Sequence, residues 1–442
     1  MVKLLIIFLT TLFFYRRTIY YGYIIDDIQV CTQDNERKPS KLRNFWLQVK
    51  GGCYFQPRVE HTITLMFHVI NSCLIYLAFG RTDVAFLGAM LFGLNPVNNQ
   101  ASVWLSGKVY SIATTFILLG VWLKLLFPVL YFTGYFFSLN VVLVPLLFIW
   151  LKPWFYAPLT ILLILWFRKR VVYEPKRRYE QSTDHMTEIS LRKLMISLKT
   201  YAYYFRIGIF PTRIGMCHTY LHVFGLSKKE SERWYKPDRY FWLGIALLIT
   251  TVIGLYYRWD MFGLIWFTLL IAQWCNFMVL NHPICERYIY LANVGLMLML
   301  AKVLMIIPFG SYFAVALLVY YATRLWGFLP TYKNNKEYFK SNSENFPEIA
   351  VPYNQYGLEL IRFGKAETAL DVFLEGLQYR PNDFRINYNI ANLLLGMRRF
   401  QESVPFVRKA ELALDPKNNY ETWCNQVNLL KTQLSTAGLN ID

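Results

Sequence analysis

The chain has 442 residues, 55% of them hydrophobic and only 17% charged, a balance that excludes a string of ordinary soluble domains and assigns most of its length to lipid. Its formal charge is +18, but the basic residues sit mostly in short loops and between positions 168 and 199, beside apolar runs. Anionic headgroups are their natural partners there, and nucleic acid is set aside.

Apolar runs cover residues 4–14, 62–79, 86–94, 111–126, 129–150, 154–167, 241–257, 262–280, 289–307 and 312–329. Several approach the roughly 20 residues that a spanning helix needs. The stretch 125–150 is long enough for two short helices around Ser138 and Asn140, and counting it so predicts an all-α polytopic fold of about eleven spans. The first run follows a lone Lys3 and has no small-residue cleavage site, so it reads as a retained anchor. Polar loops follow at 15–60 and 168–239. The seven cysteines form no disulfide framework. Cys31 and Cys53 share the first loop and either pair there, in an oxidising compartment, or stay free.

The organisation expected is a membrane body over 1–329, a linker over 330–350 and a water-soluble helical tail over 351–442. Sliding the tail by 34 residues superposes Gly357 on Ala391, Ala369 on Ser403 and Leu370 on Val404, and one further residue brings Pro381 onto Pro416. A period of about 34 with small residues at the helix crossing and proline at the end predicts two tetratricopeptide repeats. Residues 420–434 read as a closing helix.

Ionisable groups beside apolar segments are costly and therefore functional candidates. Asp26-Asp27 follows the first helix; adjacent acids repel, which raises one toward a general base, or they share a cation, or they form an ordinary helix-end pair. Arg58, His61 and His68 enter the second span, the two histidines seven residues apart on one helix face, where either ligation or structural hydrogen bonding suits them. Asn95-Pro96-Val97-Asn98-Asn99-Gln100 leads to Trp104-Leu105-Ser106-Gly107-Lys108; its amides can hold a hydroxyl-rich ligand but cannot titrate. Glu286-Arg287-Tyr288-Ile289-Tyr290-Leu291 lies between two spans, where Arg287 is either a two-pronged phosphate clamp or an internal partner of Glu286.

In this order the segments resemble the transmembrane and tetratricopeptide-repeat family of protein O-mannosyltransferases, within the C-type glycosyltransferase fold. Asp26-Asp27 resembles the family's acidic pair, His61 and His68 its histidine-bearing second helix, and Glu286 through Leu291 its Glu-Arg-Tyr-Leu-Tyr-Leu motif. Lys199 through Arg206, with Ile209-Phe210-Pro211 and His218-Thr219-Tyr220, resembles its interfacial segment. The chain departs from the family at Asn95 and Gln100, where a histidine and a glutamate are usual, at Leu139-Asn140, where a Lys-Glu pair is usual, and at Ala292-Asn293, where Pro-Ser is usual. An altered donor or acceptor and a weakened enzyme are both consistent with those neutral positions.

The resemblance implies a polyprenyl-phosphate sugar as donor and a protein hydroxyl as acceptor on the outer or lumenal side. Arg287 would meet the phosphate first, with Lys108 and Arg206 behind it, and Asp26 or Asp27 would take the acceptor's proton. Arg58, His61, His68, Gln100, Glu286 and Tyr290 would support them. The resemblance names no certain cofactor, and a role for a divalent metal stays open. With the first terminus inside, about eleven spans put Asp26-Asp27, residues 95–108, Asn140, Glu286-Arg287 and the repeats on one outer side. The alternative is a non-catalytic membrane scaffold that presents the repeats to a protein partner. The chain carries neither an Asn-x-Ser/Thr acceptor nor a retrieval signal at 440–442, which favours a bacterial inner membrane over the endoplasmic reticulum.

Overall fold

The computed structural model describes residues 1–25, 27, 56–148, 191–215, 236–257, 261–276, 284–414 and 420–439, and every regular element among them is a helix. The expectations for Asp26, Cys31 and Cys53, for the run 154–167, for most of the loop 168–239 and for His218-Thr219-Tyr220 lie outside the described residues.

The first of two units reaches Asn334. It begins with α1 (Val2–Tyr15), followed by α2 (Pro57–Ala78), whose proline sits in the first turn where no amide proton is needed. Helix α3 (Asp83–Leu94) is capped by Thr82, whose hydroxyl accepts the Ala85 N–H at 3.1 Å. Two 3₁₀ turns, Pro96–Asn98 and Leu105–Gly107, flank the short α4 (Asn99–Ser102) and lead into α5 (Lys108–Leu123). Then come α6 (Phe127–Phe137) and α7 (Val144–Phe148). The break between them falls where the sequence placed it, with Ser138 extended and its hydroxyl accepting the Asn140 N–H at 3.2 Å. Helix α8 (Leu191–Ile209) is amphipathic, and its Lys199 pairs at 3.1 Å with Asp238, the N-cap of α9 (Arg239–Tyr256). Helices α10 (Phe262–Ala272), α11 (Glu286–Ile306) and α12 (Gly310–Phe328) complete the unit.

Among the described residues, five stretches are long and apolar enough to cross a membrane: Pro57–Ala78, Leu105–Leu123, Arg239–Tyr256, Glu286–Ile306 and Gly310–Tyr332. They fit an integral membrane protein. Helix α11 is the axis of the packing, touching α3, α5, α8, α10 and α12. It crosses α10 backbone to backbone, since a Cβ on Gly263 would lie 2.5 Å from the Gly295 carbonyl oxygen and one on Gly295 2.6 Å from that of Gly263. Small residues of this kind let apolar helices associate through close contact when water supplies no driving force. Trp266 Nε1 seals the crossing by donating to the Leu291 carbonyl at 2.9 Å. Helices α9 and α12, in contrast, leave Leu248, Val252, Leu255, Phe313, Val315 and Val319 exposed, as lipid-facing helices do.

The second unit begins at Asn335 among the described residues. Its first helix, α13 (Asn335–Asn345), occupies the segment expected to be a linker and packs on α14 (Ala350–Arg362). Helices α15 (Ala366–Tyr379), α16 (Phe384–Gly396), α17 (Phe400–Leu412) and α18 (Tyr420–Thr436) follow. The 34-residue offset is visible in the backbone. Lys365 N–H bonds the Leu360 carbonyl and Arg399 N–H the Leu394 carbonyl, both at 2.9 Å. Between them Gly364 and Arg398, at matching positions, both take a left-handed φ of 71° and 61°. Two cores result, one around Tyr353, Phe373, Leu377, Ile386 and Leu394 and one around Ala391, Val407, Ala410, Leu430 and Leu434.

Candidate functional site

One short turn organises the polar centre of the first unit. Residues 105–107 form a 3₁₀ turn pressed so closely on the end of α4 that a Cβ on Gly107 would run into the Gln100 carbonyl oxygen; only glycine fits. Around it, alternate residues of the chain reach three different partners. Trp104 lies under the guanidinium of Arg287, whose Cζ is 5.1 Å from the ring centroid. Ser106 donates to Asp27, and Lys108 Nζ meets Glu60 Oε2 at 2.8 Å.

Asp27 is fully buried. Its Oδ1 accepts from the backbone N–H of Ser106 at 2.8 Å and from the Ser106 hydroxyl at 2.6 Å, and its Oδ2 faces the Ile24 N–H at 3.4 Å. Hydrogen bonds to a carboxylate are stronger than neutral ones and fix its plane. The start of α2 adjoins this segment, with His61 Nε2 3.3 Å from the Gly22 carbonyl oxygen. Burial raises the Tyr23 hydroxyl above its usual range, and the negative charges of Glu60 and Asp27 add to the effect, which places both acids near Tyr23.

Arg287, in the first turn of α11, forms no ion pair among the described residues. Its guanidinium also lies 5.1 Å from the Tyr288 ring centroid, and Tyr288 stacks on Trp274 at 4.1 Å with Tyr110 alongside at 6.1 Å. Of the two readings of Glu286-Arg287, the internal side-chain pair is therefore not what is observed: the buried Glu286 accepts the Gly215 N–H at 2.7 Å through Oε1. Gln100 closes a small ring, donating from Nε2 to the Gly215 carbonyl at 2.8 Å and accepting the Arg287 N–H at 3.3 Å through Oε1. A neutral amide donates and accepts at once here, which a carboxylate cannot do.

His68 and Tyr290, 222 positions apart, meet at 2.7 Å between Nδ1 and the hydroxyl. His68 Nε2 faces the Gly93 carbonyl at 3.1 Å, and Asn71 Nδ2 donates to the Tyr290 hydroxyl at 3.2 Å. The network assigns the proton to Nε2 and makes Tyr290 the donor to Nδ1. These residues tie α2 to α11.

The structure thus brings together Asp27, Lys108, Gln100, Glu286 and Arg287, and places His61, His68 and Tyr290 beside them. It keeps Arg58 on the exposed side of α2, 5.0 Å from the Tyr20 ring, and engages Arg206 with Thr212 at 2.7 Å. Lys108, expected behind Arg287 as a phosphate cation, pairs with Glu60. Glu60 and Ser106 are the residues that sequence reasoning missed. Glu60 read as the last residue of a loop, and a serine in a turn carries no signal of its own. Among the described residues no three His, Cys, Asp or Glu side chains gather as metal ligands would.

The described residues are helical and hold a buried carboxylate, an arginine that forms no ion pair among them and five stretches of membrane length, which fits an integral membrane protein with a polar interior site. Comparisons with protein-family models, with curated proteins and with solved structures find no match.

Proposed function

We propose that the chain is a membrane glycosyltransferase of the C-type fold, with about eleven spans and a tail of two tetratricopeptide repeats and a closing helix. It moves a sugar from a polyprenyl-phosphate donor to a protein hydroxyl on the outer side of a bacterial inner membrane. The observation that carries this reading is the pairing through one turn of Arg287, which forms no ion pair among the described residues, and Asp27, a buried acid: Trp104 lies against the first and Ser106 bonds the second.

In the reaction, the acceptor hydroxyl gives its proton to a carboxylate of the Asp26-Asp27 pair as its oxygen bonds to the anomeric carbon. The bond from that carbon to the phosphate oxygen breaks, and polyprenyl phosphate leaves with the electron pair, inverting the centre. Arg287 meets the charge that develops on the phosphate, in a site where the aromatic walls of Trp104, Tyr110 and Tyr288 keep water from screening it. The repeats present the acceptor protein in their groove.

The test is transfer from a labelled donor to acceptor protein by purified parent, Asp26→Asn, Asp27→Asn and the double variant, all with matched thermal unfolding. A general base contributes about 10²–10⁴-fold, so the double variant should lose turnover while still binding donor. Transfer at the parent rate by the double variant would sink the mechanism. The scaffold reading draws on the neutral Gln100 and on the pairing of Lys108 with Glu60; absence of transfer by the parent across a range of donors would favour it.

A further inference from the structure

We infer that Ser106 is the positioning residue for Asp27, holding its carboxylate where it receives the acceptor's proton; the inference rests on the glycosyltransferase reading. Both donors of Ser106 converge on the same oxygen, N–H at 2.8 Å and hydroxyl at 2.6 Å. Two bonds from one residue fix the orientation of the carboxylate as well as its distance, which a single bond would leave free to rotate.

Ser106 can do this only because it is itself fixed. Gly107 presses on the Gln100 carbonyl, Trp104 lies against Arg287, and Lys108 is tied to the buried Glu60. None of those three contacts is made through Asp27. Residues 104 and 106 are two apart in one turn, and the turn therefore sets the separation of the base from the phosphate-binding arginine. Misplacing a reacting group by about 1 Å costs on the order of 10²-fold in rate.

The experiment uses the full-length protein in lipid nanodiscs, with transfer followed at varied donor concentration. Ser106→Ala keeps the backbone donor and loses the hydroxyl. Its kcat should fall by about 10- to 100-fold, as loss of one hydrogen bond to a charged group implies, with the donor KM unchanged. Ser106→Thr restores the hydroxyl and should recover most of the loss. Because the serine acts through Asp27, Ser106→Ala added to Asp27→Asn should cost nothing further. Parent-like kcat in Ser106→Ala would overturn the inference and leave the glycosyltransferase reading standing. So would losses that add in the double variant, or a Ser106→Thr as impaired as Ser106→Ala. A parent with no transfer activity removes the reading and the inference together.

Discussion

Lys108 Nζ lies 2.8 Å from Glu60 Oε2, with the two side chains 9% and 2% exposed. Burial makes such a pair costly to break, since removing one partner takes a close opposite charge from the other where little water can replace it. Lys108→Met should therefore destabilise the protein by about 3–5 kcal/mol. Adding Glu60→Gln should recover much of that, because the carboxylate that lost its lysine is then neutral. Unfolding of the two single variants and the double variant in detergent measures the coupling. Single variants as stable as the parent would show that the pair contributes nothing.

Arg287→Lys keeps the charge but replaces a planar fork with a point donor on a flexible stem. The apparent affinity for polyprenyl-phosphate sugar should drop about tenfold, the worth of one charged hydrogen bond. Equal donor affinity in a binding assay would leave Arg287 as a residue packed among Trp104 and Tyr288 and nothing more.

Tyr290→Phe removes the hydroxyl shared by His68 Nδ1 and Asn71 Nδ2 and leaves the buried Nδ1 facing a ring edge, while Asn71 Nδ2 keeps its bond to the Ser111 carbonyl at 2.9 Å. A loss of about 1–3 kcal/mol is expected, with little of it from packing because the ring stays. His68→Leu in the same background should then cost less than it does alone, and unfolding midpoints of the three variants decide this.

Arg398 holds the left-handed conformation that its counterpart Gly364 adopts without penalty. Arg398→Gly should stabilise the second unit by roughly 0.5–1 kcal/mol, the steric cost of αL less the extra chain entropy of glycine. Hydrogen exchange of the α16 and α17 amides in the full-length protein should slow accordingly; faster exchange would mean that the Arg398 side chain carries more than its backbone costs.

These turns explain what could be read in advance. Gly357 over Ala391 and Ala369 over Ser403 stand out because each repeat must bring two helices together at a small residue, and sequence spacing alone reports that need. The break at Ser138 was legible for a local reason too, a serine that caps its own neighbour's amide. Glu60 with Lys108 and Asp27 with Ser106 join positions 48 and 79 apart, and no periodicity records such a meeting. In the sequence Gln100 stands only as a departure from the family's usual glutamate. In the fold its amide makes two bonds of opposite sense, to Gly215 and Arg287, and only the arrangement of those backbones reveals the use.

The turn at residues 105–107 also limits what the gene can tolerate by way of length. Trp104, Ser106 and Lys108 reach Arg287, Asp27 and Glu60 in strict alternation. Substitution at any one of them disturbs one contact, whereas inserting or deleting a single codon here would shift all three at once and carry the glycine off the Gln100 carbonyl. Residues 104–108 should tolerate a change in their count even less well than a substitution at Trp104 or Ser106, and a library of one-residue insertions scanned along 95–115 should show its deepest loss of folded protein there.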